Sequence, residues 1–177
     1  MVRKRAFTLI ELLVVIVIIG ILITLVSHGL RAAKRNAKIA QARIEMSSIE
    51  TALKSYWNKY GRLPSATYDS DQVFSMDDGT VEADESSAVI SILMLTDDAD
   101  ESLNPSQVVF LEPQSGVPDG TFRDPWGYSY RIALDTDYDG TIDIDGETVR
   151  RKVALAAVGL YILNGSSDTN DQVTTWR

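Results

Sequence analysis

One apolar run near the start constrains this chain more than any other feature. From Leu12 to Val26 every residue is apolar except Gly20 and Thr24. Counted from Phe7, the run is 20 residues long. A hydrocarbon core needs about 20 helical residues at ~1.5 Å each, so the run predicts a membrane-spanning helix. A secretory signal, with Arg3, Lys4 and Arg5 as its basic region, is the simpler alternative. Such a signal has an apolar core of about 7–15 residues and ends at an A-x-A-like site. No such site follows here, and a helical pattern continues past residue 26. Glu11 interrupts the run. A charge at mid-bilayer costs ~2.5–3.5 kcal/mol on insertion scales, and less near the end of a span. A carboxylate placed there points to function and requires a cationic partner.

Composition narrows the classes. The chain has 177 residues, 45% hydrophobic and 24% charged, a globular balance. It contains no Cys, which excludes disulfides, thiolate metal sites and cysteine nucleophiles. Its one His, His28, leaves nothing from which to build a Ser-His-Asp relay or a multi-histidine metal site. Residues 1–60 carry ten Lys and Arg against three Asp and Glu, a net of +7, whereas residues 61–177 have a net of −15. An acidic C-terminal part argues against nucleic acid as a partner. The basic residues Arg31, Lys34, Arg35, Lys38 and Arg43 read as a membrane-flanking segment and a solvated helix face.

Beyond the span, apolar residues fall at Ala42, Met46, Ile49, Leu53, Tyr56 and Tyr60, and Trp57 widens the stripe. Steps of three and four residues put them on one side of a helix. Gly61 and Pro64 supply its stop. A helix from Phe7 to Tyr60 would be ~80 Å long. Its first half should therefore protrude, and its second half should hold a head. In that head, Ser86–Leu95 reads as a short helix, and "ESLNPSQVVFLEP" as a loop and an extended piece. "FRDPWGYSYRIALD" reads as a turn leading into a strand through Tyr128, Tyr130, Ile132 and Leu134. Further strand residues run from Val153 to Ala157 and from Leu160 to Leu163. The expected fold class is α+β: a long N-terminal helix with a small antiparallel sheet, of about three strands, packed on its second half.

The acidic loop "DTDYDGTIDIDGE" carries Asp135, Asp137, Asp139, Gly140 and Asp143 at positions 1, 3, 5, 6 and 9 of an EF-hand-type pattern. Hard oxygens at alternate positions around a turn-making Gly suit Ca²⁺. Position 12 is Gly146, so the bidentate Glu is missing, with Asp145 or Glu147 as substitutes. The bland reading is an acidic turn between strands.

A basic leader, then "FTLIELL", then an apolar helix resembles the N-terminal signal of the type IV pilin and type II secretion pseudopilin superfamily. "DPWG" followed by "SYRI", and the ending "TNDQVTTW", resemble the G-type major pseudopilin. The resemblance implies cleavage between Ala6 and Phe7 by a prepilin peptidase, followed by methylation of the new Phe7 amine. Most members carry Gly where this chain has Ala6. The Phe7 amine, on the same or a neighbouring subunit, would then be the cation Glu11 needs. The implied layout is a leader at 1–6, a membrane and filament-core helix at 7–29, an amphipathic stalk at 30–60 and a head at 61–177. It also implies a structural Ca²⁺ in the C-terminal loop, where Asp171 matches the first family acid, Gln172 replaces the second and Asp168 is available.

The reading is a non-enzymatic subunit of a periplasmic pseudopilus, polymerised from the bacterial inner membrane. It would span that membrane once, with its head in the periplasm. Its expected partners are copies of itself, prepilin peptidase, other pseudopilins, the inner-membrane assembly platform and, before assembly, lipid. A surface type IV pilin is the alternative within the class. A monomeric membrane-anchored calcium-binding domain is the alternative outside it.

Overall fold

The computed structural model describes residues 9–66, 68, 70–74, 85–96, 99–114, 122–144, 146–157, 159 and 173–176, without side-chain detail at 25–29, 74 and 85. The elements in chain order are α1 (Leu9–Tyr60), β1 (Gln72–Phe74), α2 (Glu85–Met94), β2 (Tyr130–Leu134), β3 (Ile142–Ile144), β4 (Glu147–Val149), β5 (Val153–Ala157) and β6 (Val173–Thr174). The arrangement is α+β and pilin-like: a long N-terminal helix followed by a small antiparallel sheet. Two compact units divide the chain, Met1–Lys38 and Ile39–Arg177.

In the first unit, the large apolar side chains from Leu9 to Ile23 are between 46% and 83% exposed. Among the described residues, no helix is long and apolar enough to cross a membrane. The side chains of residues 25–29, which complete the expected run and include His28, lie outside the described set.

The second unit begins within α1. Ala42, Met46, Ile49, Leu53 and Tyr56 are all buried, and Trp57 and Tyr60 pack on them from the edge. The stripe is thus core packing. α1 ends where Gly61 adopts φ +67°, a left-handed conformation open to glycine at little cost. The Gly61 N–H donates to the Trp57 carbonyl at 2.7 Å and closes the last turn.

The main sheet has the order β1-β2-β5-β6, antiparallel throughout. Strand alternation sends Tyr130, Ile132 and Leu134 of β2, and Val153, Leu155 and Ala157 of β5, to the face covered by α1 and α2. Ala133 and Ala154 point the other way, onto a second core of Ile142, Ile144 and Val149. That second core belongs to a separate hairpin, β3-β4. Both faces of β5 are therefore covered, and all five of its residues are buried.

The sheet has more strands than the three expected. β1 and β6 are only 3 and 2 residues long, too short for a periodic signal. The hairpin was hidden in what reads as an acidic turn, where Ile142-Asp143-Ile144 alternates buried, exposed, buried. The proposed strand at 160–163 lies outside the described residues.

Long connections are held by buried polar side chains. Asn104 is fully buried. Its Nδ2 donates to the carbonyls of Ile92 (3.1 Å) and Val108 (2.8 Å), and its Oδ1 accepts from the Val108 N–H (3.2 Å) and the Tyr60 hydroxyl (2.6 Å). The Tyr56 hydroxyl donates to the Leu103 carbonyl at 2.5 Å. Burial pushes the Tyr56 hydroxyl up to about 12, with Arg62 acting in the opposite direction. The Tyr130 hydroxyl donates to Glu45, joining β2 to α1.

Candidate functional site

Three features carry functional weight. The first is the start of α1. Glu11 lies in the first turn, where the helix dipole favours a negative charge. It is exposed, like the apolar side chains around it. An exposed apolar stretch of this extent calls for lipid or protein to cover it. Ala6 and Phe7, the residues of the expected cleavage site, lie outside the described residues.

The second feature is the "DPWG" turn. Asp124 opens it and is 4% exposed. Its Oδ1 accepts from the N–H groups of Trp126 and Tyr128, each at 2.9 Å. Its Oδ2 accepts from the Gly159 N–H at 2.8 Å. Gly127 donates back to the Asp124 carbonyl at 2.9 Å and takes φ +96°, as the tight turn requires. Burial raises the carboxyl of Asp124 above the usual range, and the backbone N–H groups of Tyr128, Gly159, Trp126 and Gly127 oppose that. A Cβ at Gly159 would stand 2.5 Å from Trp126 Cβ. The motif therefore locks the entry of β2 to Gly159, two residues past the end of β5. The sequence marks the turn, but not Gly159 as its counterpart.

The third feature is the acidic loop between β2 and β3. Gly140, at φ +90°, donates its N–H to Asp135 Oδ2 at 3.2 Å. The Asp139 N–H donates to Asp137 Oδ1 at 3.2 Å. Asp139 Oδ1 is turned to the Thr141 N–H and hydroxyl, at 2.7 and 2.8 Å, which hold its carboxyl below the usual range. Asp143 lies on the exposed side of β3. The loop closes over the segment before β1. The Thr136 hydroxyl donates to the Ser70 carbonyl at 2.5 Å, and the Asp143 N–H donates to Asp71 Oδ2 at 3.2 Å. Tyr138, at φ +62°, anchors the loop tip: its hydroxyl accepts from the Leu63 N–H at 3.2 Å, and its ring meets the Trp57 ring edge-on at 5.3 Å.

Of the four described loop aspartates, the structure brings two together, Asp135 and Asp137, and joins to them Asp71, which lies outside the loop's spacing pattern. One carboxylate oxygen from each lies within 4.8 Å of the others. Asp139 and Asp143 are outside this cluster. Burial raises the carboxyls of Asp71 and Asp135 above the usual range, and the charges of neighbouring aspartates push them further the same way. Asp168 and Asp171 of the C-terminal loop, and Asp145, lie outside the described residues.

A long helix with an exposed apolar start and a single early carboxylate, its later half packed under a small antiparallel sheet, defines a pilin-like subunit. Residues 1–27 match the Prokaryotic N-terminal methylation motif family. The type II secretion system core protein G of Pectobacterium carotovorum subsp. carotovorum is 30% identical over 146 residues, covering 80% of this chain and 74% of that protein. The protein of the same description from Dickeya chrysanthemi is 25% identical over 178 residues, covering 98% and 87% respectively. No solved structure gives a significant match. The chain belongs to the type II secretion system core protein G family, the major pseudopilins.

Proposed function

We propose that this chain is the structural subunit of a periplasmic pseudopilus that drives type II protein secretion. In this reading a prepilin peptidase cuts between Ala6 and Phe7 and methylates the new amine. The subunit waits in the inner membrane through its apolar N-terminal helix, with its head in the periplasm. It is then drawn by the assembly platform into a filament with its own copies and other pseudopilins. The observation that carries the reading is the exposed apolar stretch from Leu9 to Ile23, broken by one acid, Glu11. Neighbouring helices in a filament would bury that stretch at about 25 cal/mol per Å² relative to water, or exchange it with lipid at little net gain. Apolar contact alone therefore gives poor register in a membrane. A carboxylate–ammonium pair in low dielectric supplies it, because the misaligned state leaves a charge unpaired. The role is mechanical and assigns no catalytic step.

Glu11→Ala tests this. The variant should still be processed, and its head should melt like wild type, but its incorporation into filaments should fall at least tenfold. Normal assembly of Glu11→Ala would overturn the pairing role. Mass spectrometry of the mature N-terminus should find methylated Phe7, and any other start would overturn the processing route.

A further inference from the structure

The antiparallel register between β1 and β2 pairs Gln72 with Leu134. One step further along the ladder, Asp71 therefore faces Asp135. Like charges directly opposite each other across strands are destabilising, and here a third, Asp137, has a carboxylate oxygen within the same 4.8 Å cluster. Among the described residues, the hydrogen bonds to these three carboxylates come from backbone N–H groups: Asp135 Oδ2 takes the Gly140 N–H, Asp71 Oδ2 the Asp143 N–H and Asp137 Oδ1 the Asp139 N–H. The remaining oxygens are the telling ones. Asp135 is 1% exposed, and its Oδ1 is buried without a hydrogen-bond partner among the described residues. Asp71 Oδ1 is likewise buried and has no hydrogen-bond partner among the described residues. An unpaired buried acceptor costs ~1–3 kcal/mol, and more when charged. A fold that places two of them beside a third carboxylate, on a loop already pinned through Thr136, Tyr138 and Gly140, is built to receive a positive charge.

We propose that Asp71, Asp135 and Asp137 bind a hard divalent cation of the calcium class. Carboxylate oxygens from a loop with a turn-making glycine are the ligand chemistry Ca²⁺ prefers, with backbone carbonyls and water completing its 6–8 oxygens. Asp71 supplies from outside the loop an acidic ligand that the position-12 glycine, Gly146, cannot. The ion would tie the segment before β1 to the loop after β2, and thus fix the sheet edge to the hairpin. This site is distinct from the C-terminal loop of Asp168 and Asp171.

The test uses the full chain in detergent, stripped of metal and titrated with Ca²⁺ by calorimetry. It is made in the wild type and in an Asp168→Asn/Asp171→Asn background that removes the other acidic loop. One ion should bind in that background, and adding Asp71→Asn should weaken it at least tenfold. Asp143→Asn, whose side chain is outside the cluster, should leave it unchanged. Thermal melts give a second readout that does not depend on the background folding well. In EDTA, Asp71→Asn should melt at or above wild type, because a repulsive charge is gone. In Ca²⁺ it should melt below wild type. Tyrosine-sensitised Tb³⁺ luminescence, with Tyr138 in the loop as donor, should be lost in Asp71→Asn. The proposal is overturned if the chain binds no Ca²⁺, if binding survives Asp71→Asn, or if Asp71→Asn lowers the midpoint equally in EDTA and Ca²⁺.

Discussion

Gly159→Ala should be among the most damaging single-methyl additions in this protein. The new Cβ would meet Trp126 Cβ at 2.5 Å, Asp124 Oδ2 at 2.6 Å and Tyr128 Cδ2 at 2.8 Å. Two of these cannot swing aside. Trp126 Cβ is one bond from its backbone, and the Asp124 carboxylate is held by the N–H groups of Trp126 and Tyr128. The chain must shift by up to about 1 Å to restore ordinary packing distances, and overpacking of this kind costs ~1–3 kcal/mol. The same movement breaks the 2.8 Å bond from Gly159 N–H to Asp124. A hydrogen bond to a charged group contributes ~1.5–3 kcal/mol. Together the loss is about 4 kcal/mol, and for a chain of this size each kcal/mol lowers the midpoint by ~2–4 °C. The expected drop is thus about 8–16 °C. Circular dichroism melts of the full chain in detergent, at one fixed Ca²⁺ level, would measure it, since bound ligand shifts the midpoint by mass action. Gly20→Ala is the control, because a Cβ there meets nothing within 4 Å. A Gly159→Ala midpoint within about 3 °C of wild type would refute the claim that this contact locks the turn to the sheet.

Two further outcomes follow from buried polar groups. Asn104→Ala removes the partner of two carbonyls, one N–H and the Tyr60 hydroxyl. It should cost about 3 kcal/mol in urea unfolding, and a loss below about 1 kcal/mol would show that water replaces the amide freely. The Tyr56 hydroxyl, raised to about 12, contributes stability that is complete below its unfolded value of about 10 and is lost as pH rises through about 12. Wild-type stability should therefore fall between pH 10 and 12 more steeply than that of Tyr56→Phe, and parallel curves would contradict the assignment.

Local patterns were legible before the structure. The stripe from Ala42 to Tyr56 needed only helical spacing, and Gly61 with Pro64 needed only the chemistry of helix ends. The strands at Tyr130–Leu134 and Val153–Ala157 stood out because each is a run of five with apolar residues at alternate positions or throughout. The acidic loop was visible as alternating aspartates. Spacing alone gives its side chains one role, yet the structure divides them. Asp135 and Asp137 join a cluster, Asp139 caps Thr141, and Asp143 offers its backbone to Asp71 while its side chain faces out.

What the sequence by itself determined is whatever depends on neighbours within a few residues: a long helix, its apolar start with Glu11, its stop, and the "DPWG" turn. Tertiary structure alone decided which distant residues meet. Asp71 reaches Asp135 through the register of a three-residue strand, and Gly159 reaches Asp124 through the pairing of β2 with β5. The physical reason is that helical and turn preferences act over one turn of chain, whereas strand register is set by which faces can be buried together. In this protein those faces are the helix side of the sheet, and the small alanine side that accepts the β3-β4 hairpin.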